Sequence, residues 1–239
     1  MPEFTTPQII SIVIFIVVFA LIISEKVHRT VAALAGAVVL ILTGILSFDT
    51  GMEHIDFGTL GVLVGMMIFV AVVKNSGIFE YIAIRTAKIA KGNPWVIMVL
   101  FCIITAVLSA FLDNVTTVLL IGPVTFTVCK MLELSPVPFF ITEIMASNIG
   151  GTATLIGDPP NLIIGSVAGL DFAAFLVNLA PFILVILVVY CIILKLYYGK
   201  RMHVTLEQRA RIMELDEKAA ITDPVNMRRG GIVILLTIF

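Results

Sequence analysis

Two short stretches hold the residue types that could bind an ion. One is 109–123, SAFLDNVTTVLLIGP, and the other is 147–166, SNIGGTATLIGDPPNLIIGS. Each sets an aspartate, an asparagine and small hydroxyl residues inside otherwise unbroken apolar sequence. Asp113 and Asp158 are therefore carboxylates at membrane depth, where a charge is costly and functional by default. Asn114, Thr116 and Thr117 beside the first, and Thr154, Gly157 and Asn161 around the second, add further oxygens. Hard cations take oxygen ligands of this kind. The second stretch also contains Gly150, Gly151, Gly157, Pro159 and Pro160, which cannot all sit in a straight helix. Broken backbone at membrane depth persists only where it is buried in protein or lines a cavity. The expected chemistry is cation or proton handling at interrupted helices, with half-helix N-termini that suit an anionic substrate.

A competing reading makes Asp113 and Asp158 simple caps that tie helix ends together, as short polar residues do. Glu143 lies about one turn inside the apolar run after Pro138. It reads as structural, snorkelling to the cytoplasmic interface. Paired aspartates also suggest intramembrane proteolysis, which needs two carboxylates sharing a proton. The flanking residues Leu112 and Asn114, and Ile156 and Gly157, do not resemble such motifs. Gly150–Gly157 is not a phosphate-binding loop, because no lysine follows the glycines.

The elements that must position these residues are membrane spans. Hydrophobic residues make up 60% of the 239 and charged residues 13%, against about 45–50% and about 25% in soluble domains. Mean hydropathy is +1.14. The fold class is an all-α polytopic membrane protein. Spans are expected at 8–24, 30–48 and 57–73, giving scaffold spans over 1–74. Residues 75–92 read as an interfacial amphipathic helix, with Ile78, Phe79, Ile82, Ala83, Ile89 and Ala90 on one face; a cytosolic connector is the alternative.

Residues 93–170 form the remaining polar-bearing unit. Its first part, 95–131, is too short for two spans and a turn, and its second arm is interrupted at Gly122–Pro123. It is expected to be a re-entrant hairpin with Asp113–Asn114 at its tip. Residues 138–169 as one helix would run about 48 Å, too long for one span and too short for two. A broken span, unwound around 157–161, resolves this. A further span follows at 171–195, then a cytoplasmic linker over 196–228. Residues 229–239 begin another apolar run, so the sequence is expected to be the first half of a longer protein.

With the N-terminus outside, all 15 basic residues fall on the cytoplasmic side, while Asp49, Glu53, Asp56 and Asp171 fall outside. The three cysteines sit within spans and the three histidines are scattered, so neither a disulfide framework nor a metal cluster is expected. No cofactor and no nucleic-acid partner is expected.

The two motifs, LDNVTT at 112–117 and NIGGTATLIGDPPNLIIGS at 148–166, resemble the ion transporter superfamily. Within it the likeness is to the branch of arsenite permeases and NhaD-type Na⁺/H⁺ antiporters, and most of all to P-protein-like (pink-eyed dilution) permeases. It covers essentially the whole chain as the first of two inverted repeats. The resemblance implies an elevator-type secondary transporter, a homodimer when full-length, seated in the cell membrane. It carries over Asn114, Gly157 and Asn161 as Na⁺ ligands, because dicarboxylate relatives bind Na⁺ at Ser-Asn-Thr and Gly-Thr-Pro-Pro-Asn. Here Asp113 and Asp158 depart from those strings. Two added carboxylates make the site more negative, weigh against dicarboxylate, and favour Na⁺ or H⁺ as coupling ion. The expected function is a citrate-transporter-like permease moving a small inorganic or organic anion, and not an enzyme. Na⁺/H⁺ antiport is the alternative; an anion channel and a non-transporting membrane scaffold are the more distant ones.

Overall fold

The structure, a computed structural model, describes residues 5–199, 202–225 and 228–229. Every regular element among the described residues is helical, and the chain is a polytopic membrane protein. Two compact units, 1–57 and 58–239, are described separately.

The first unit contains α1 (Thr6–Ile23), α2 (Arg29–Leu42) and the short α3 (Phe48–Glu53). α1 starts where the Thr5 amide donates to Gln8 Oε1 at 2.9 Å and Pro7 fills an early position whose amide has no helical partner. It buries no residue, and it is apolar all round. A helix of that kind belongs in a membrane.

The second unit runs through α4 (Phe57–Lys74), α5 (Ile78–Ile89), α6 (Pro94–Ser109), α7 (Asn114–Met131), α8 (Val137–Gly151), α9 (Pro159–Ala168), α10 (Phe172–Tyr198) and α11 (Leu206–Met213). By length and composition α1, α4, α7 and α10 can each cross a bilayer. α6 is the centre of the unit. It packs most extensively on α8, and also on α5, α7 and α10. Ile97, Met98 and Phe101 of α6 are buried with Ile121 and Val128 of α7, Phe139 of α8 and Ile212 of α11.

Helix starts follow local chemistry. The Asn93 side chain accepts from the Trp95 and Val96 amides, and Asp171 accepts from the Ala174 amide at 2.7 Å. Both satisfy amides that a first turn leaves unpaired.

Two sequence expectations are corrected here. Pro123 lies inside a continuous α7, so Gly122–Pro123 does not interrupt the second arm. Proline removes one backbone donor, a loss that neighbouring helices let a buried helix absorb. Gly122 meanwhile takes the Phe140 ring, which a Cβ there would approach at 2.9 Å. The break in the second polar segment covers 152–158 and not 157–161. Pro159 and Pro160 open α9 instead of interrupting it, because proline is pre-organised for the first helical positions.

α5 turns its Phe79, Ala83, Thr86 and Ala87 face into the protein and leaves Ile89 exposed. It rests on α6, α7 and α11. The polar segment after α10 returns over the same end. Lys88 Nζ meets Glu217 Oε2 at 2.6 Å and donates to the Leu215 carbonyl, while Arg211 reaches Glu133 at 3.1 Å. Thr222 bonds the Asn75 and Ser76 carbonyls. The chain passes so close that a Cβ on Gly77, itself at φ 78°, would sit 1.7 Å from the Ala220 carbonyl oxygen. The Lys88 ammonium beside Glu217 holds that carboxyl below the ordinary range. The apolar run at 231–239 lies outside the described residues.

Candidate functional site

Four helix ends converge in the second unit. α6 ends at Ser109 and α7 begins at Asn114; α8 ends at Gly151 and α9 begins at Pro159. Small residues permit the approach. A Cβ on Gly150 would lie 2.0 Å from the Ala106 carbonyl oxygen, and one on Gly151 would lie 2.3 Å from Asn114 Oδ1. A Cβ on Gly157 would meet the Gly151 and Ser109 carbonyl oxygens at 2.5 and 2.7 Å. Backbone touches backbone throughout this junction.

Asn114 stands at its centre. Its Oδ1 accepts from Ser109 Oγ at 2.8 Å. Its Nδ2 donates to Asn148 Oδ1 at 3.2 Å and to Asp158 Oδ2 at 3.3 Å. Thr154 Oγ1 donates to the Ala110 carbonyl and accepts from the Gly157 amide at 3.1 Å. Asn161 Nδ2 donates to the Thr154 and Gly151 carbonyls at 2.8 and 3.2 Å. Asn161 thus ties the last residue of α8 and the Thr154 carbonyl of the unwound 152–158 segment to the helix that follows them.

The structure brings Asn114, Thr154, Gly157, Asp158 and Asn161 together. Asp113 sits to one side, where its Oδ1 caps α7 by accepting from the Thr116 amide at 2.9 Å. Asp113 and Thr116 line a cavity of about 400 Å³ whose other walls include Met67, Ile156, Pro159 and Leu162. Asp158 also precedes a helix but makes no side-chain bond to that helix's amides. Thr117 is wholly buried between helices, and its Oγ1 has no partner among the described residues.

Sequence reasoning passed over Ser109 and Asn148 as site residues. Both lie inside the quoted polar stretches, and helical spacing places Ser109 near the end of the arm that meets Asn114. It also misplaced Glu143. That residue does not snorkel: it is 1% exposed, and Thr125 Oγ1 donates to its Oε1 at 2.6 Å. The reason is its face. Glu143 shares a side of α8 with Thr142, Ala146, Ser147 and Gly150, all turned into the protein.

The arrangement presents two opposite electrostatic ends side by side. Helix C-termini at Ser109 and Gly151 offer carbonyl oxygens, favourable to a cation; the α7 N-terminus at Asn114 offers amides, favourable to an anion, whereas α9 opens on Pro159 and Pro160, which carry no amide hydrogen. The side-chain atoms around Asn114 are oxygen and amide nitrogen. Such a set suits a hard monovalent or divalent cation and not a soft metal. No group of three His, Cys, Asp or Glu residues among the described residues could hold a metal ion.

Comparison with known proteins agrees with this architecture. The profile described as Citrate transporter matches residues 19–239. The chain is 45% identical over 233 residues to the "46 kDa membrane protein" of Mycobacterium leprae, covering 96% of this chain and 54% of that protein. It is 43% identical, with the same coverage, to an uncharacterized transporter of Mycobacterium bovis. The human P protein is 45% identical over 194 residues, 77% of this chain and 23% of the P protein. The chain thus spans about half the length of the mycobacterial proteins. With its helical spans and paired polar motifs, the chain belongs to the citrate transporter family.

Proposed function

We propose that the junction around Asn114 is half of the ion and substrate site of a secondary active transporter that moves a small anion with Na⁺ or H⁺ coupling. The observation that carries this is the meeting of four helix ends on one asparagine side chain, beside the Asp158 carboxylate. Such half-helix ends bind ions and anionic groups in repeat-built transporters. The cation is held by Asn114, Asp158 and the carbonyls of the 152–158 break, with Gly157 and Asn161 as further ligands. Asp113 acts from the neighbouring cavity.

Citrate, the substrate in the family's description, is the first anion to test. The second half of the site comes from an inverted repeat, and the full-length protein works as a homodimeric elevator in the cell membrane. An outside N-terminus follows from placing the basic residues on the cytoplasmic side.

The test is uptake by full-length protein in proteoliposomes with a trapped pH dye. Labelled citrate, phosphate, arsenite and chloride are offered under a Na⁺ or a proton gradient. Gradient-driven accumulation by wild type, reduced at least about tenfold by Asn114→Ala, is the expected result. A purely dissipative flux would instead mark a channel, and a Na⁺-dependent pH change without anion uptake would mark an antiporter.

A further inference from the structure

We propose that Glu143 is a proton-binding site inside the membrane, separate from the junction, which loads and releases the coupling proton; this rests on the transport reading above and names its ion. Glu143 lies about 12 Å along α8 from Gly151, at 1.5 Å per residue. Oε1 accepts one bond, from the neutral hydroxyl of Thr125. Oε2 is buried without a partner among the described residues.

The groups facing Glu143 carry no compensating charge. α6 contributes Cys102, α7 contributes Thr125 and Cys129, and Tyr190 of α10 donates to the carbonyl of the adjacent Thr142 at 3.3 Å. Among the described residues no lysine, arginine or histidine ion-pairs with it. A carboxylate buried there with a single neutral donor is expensive, whereas the neutral acid is tolerated. A carboxyl of that kind is a place to carry a proton and not a place to hold a standing charge.

Buried polar side chains lie between it and the junction. Glu143 and Ser147 share one face of α8 with Gly150 and Gly151. Thr125 and Thr117 lie on the side of α7 that begins at Asn114, Thr125 standing eleven residues, close to three full turns, beyond it. Cys102, Thr105 and Ser109 line the matching face of α6, all buried. The Oγ1 atoms of Thr105 and Thr117, like Glu143 Oε2, are buried without partners among the described residues. Each of these three unsatisfied polar atoms, on three mutually packed helices, is a place for a water to bond. In the transfer step the O–H bond at Oε2 breaks and the proton passes to such a water, leaving a carboxylate and a hydronium. The reverse step reloads the acid. Thr125 remains on Oε1 in both states.

Two measurements on the full-length protein test this. The first is the infrared carbonyl band of a protonated carboxylic acid, followed from acid to alkaline pH in membranes. Expected is a band that Glu143→Gln abolishes, that Asp158→Asn leaves, and whose midpoint Thr125→Val displaces. The second is labelled-citrate transport in proteoliposomes. Glu143→Gln is expected to keep citrate exchange at equal concentrations within about twofold and to lose proton-driven accumulation at least about tenfold. A band unchanged in Glu143→Gln, or proton-driven accumulation at the wild-type level in that variant, overturns the proposal. Failure of the transport reading looks different: wild type then shows no gradient-driven uptake of any anion, whatever the band reports.

Discussion

α8 and α10 belong to the same unit and pack on one another, yet they obey opposite rules. α10 has 27 residues and buries only Phe175 and Leu194. Its outer surface is Phe182, Leu184, Val185, Ile193 and Leu196. α8 has 15 residues and buries Thr142, Glu143, Ala146, Ser147, Gly150 and Gly151 beside Phe139. A soluble protein would bury the larger apolar set. In lipid, apolar side chains gain little by leaving the surface, so close packing of small residues and satisfaction of polar groups decide what goes inside. Inside and outside are therefore sorted here by size and polarity.

The contrast can be broken most severely at Gly150. Gly150→Val forces side-chain atoms against the Ala106 backbone, which has no far end to swing away. Overpacking of that kind is expected to cost about 3 kcal/mol, read as loss of monodisperse folded protein in detergent. Asn114→Ala comes next. It removes the group joining Ser109, Asn148 and Asp158, and a loss of about 1–3 kcal/mol of part-buried hydrogen bonding is expected, with a lower midpoint of thermal unfolding as the readout. Thr125→Val tests the interior of α8 from its neighbour. It leaves Glu143 with no donor among the described residues, and a destabilisation of about 1–3 kcal/mol is expected in the same assay.

The exposed polar end sharpens the comparison with a smaller effect. Lys88 depresses the Glu217 carboxyl, so the stabilisation from that pair is present at neutral pH and fades as pH falls through the lowered value. Limited proteolysis of the 202–225 segment should accelerate on acidification in wild type, and that acceleration should vanish in Lys88→Met. The smallest effect belongs to α10. Val185→Ala, at a residue 63% exposed, should change stability by less than about 0.5 kcal/mol.

Much of the site was legible because few alternatives exist for carboxylates, glycines and a proline pair set in apolar sequence. Asp113, a short acid placed just before an apolar run, is itself a capping signal, and the structure uses it so, through the Thr116 amide. Pairings across helices were not legible. Asn114 finds its partners 34 and 44 residues later, at Asn148 and Asp158, a consequence of how α6 and α8 pack and of no local signal. The position of the break was missed because Pro159 and Pro160 punctuate a sequence equally well whether they stop a helix or start one. Glu143 was misplaced because distance from a helix end says how far a side chain must reach, whereas its face says whether there is anywhere to reach.

The contact between Gly150 and the Ala106 carbonyl also has a mechanical meaning. Where side chains interdigitate, a helix pair can shear by exchanging rotamers. Here the main chains abut, so sliding α8 along α6 would lift one backbone over the other. The two helices are in effect a single stiff strut, and any stroke that carries the junction across the bilayer must carry both without relative travel. In the elevator motion proposed above, a covalent tether between them should then leave the stroke untouched.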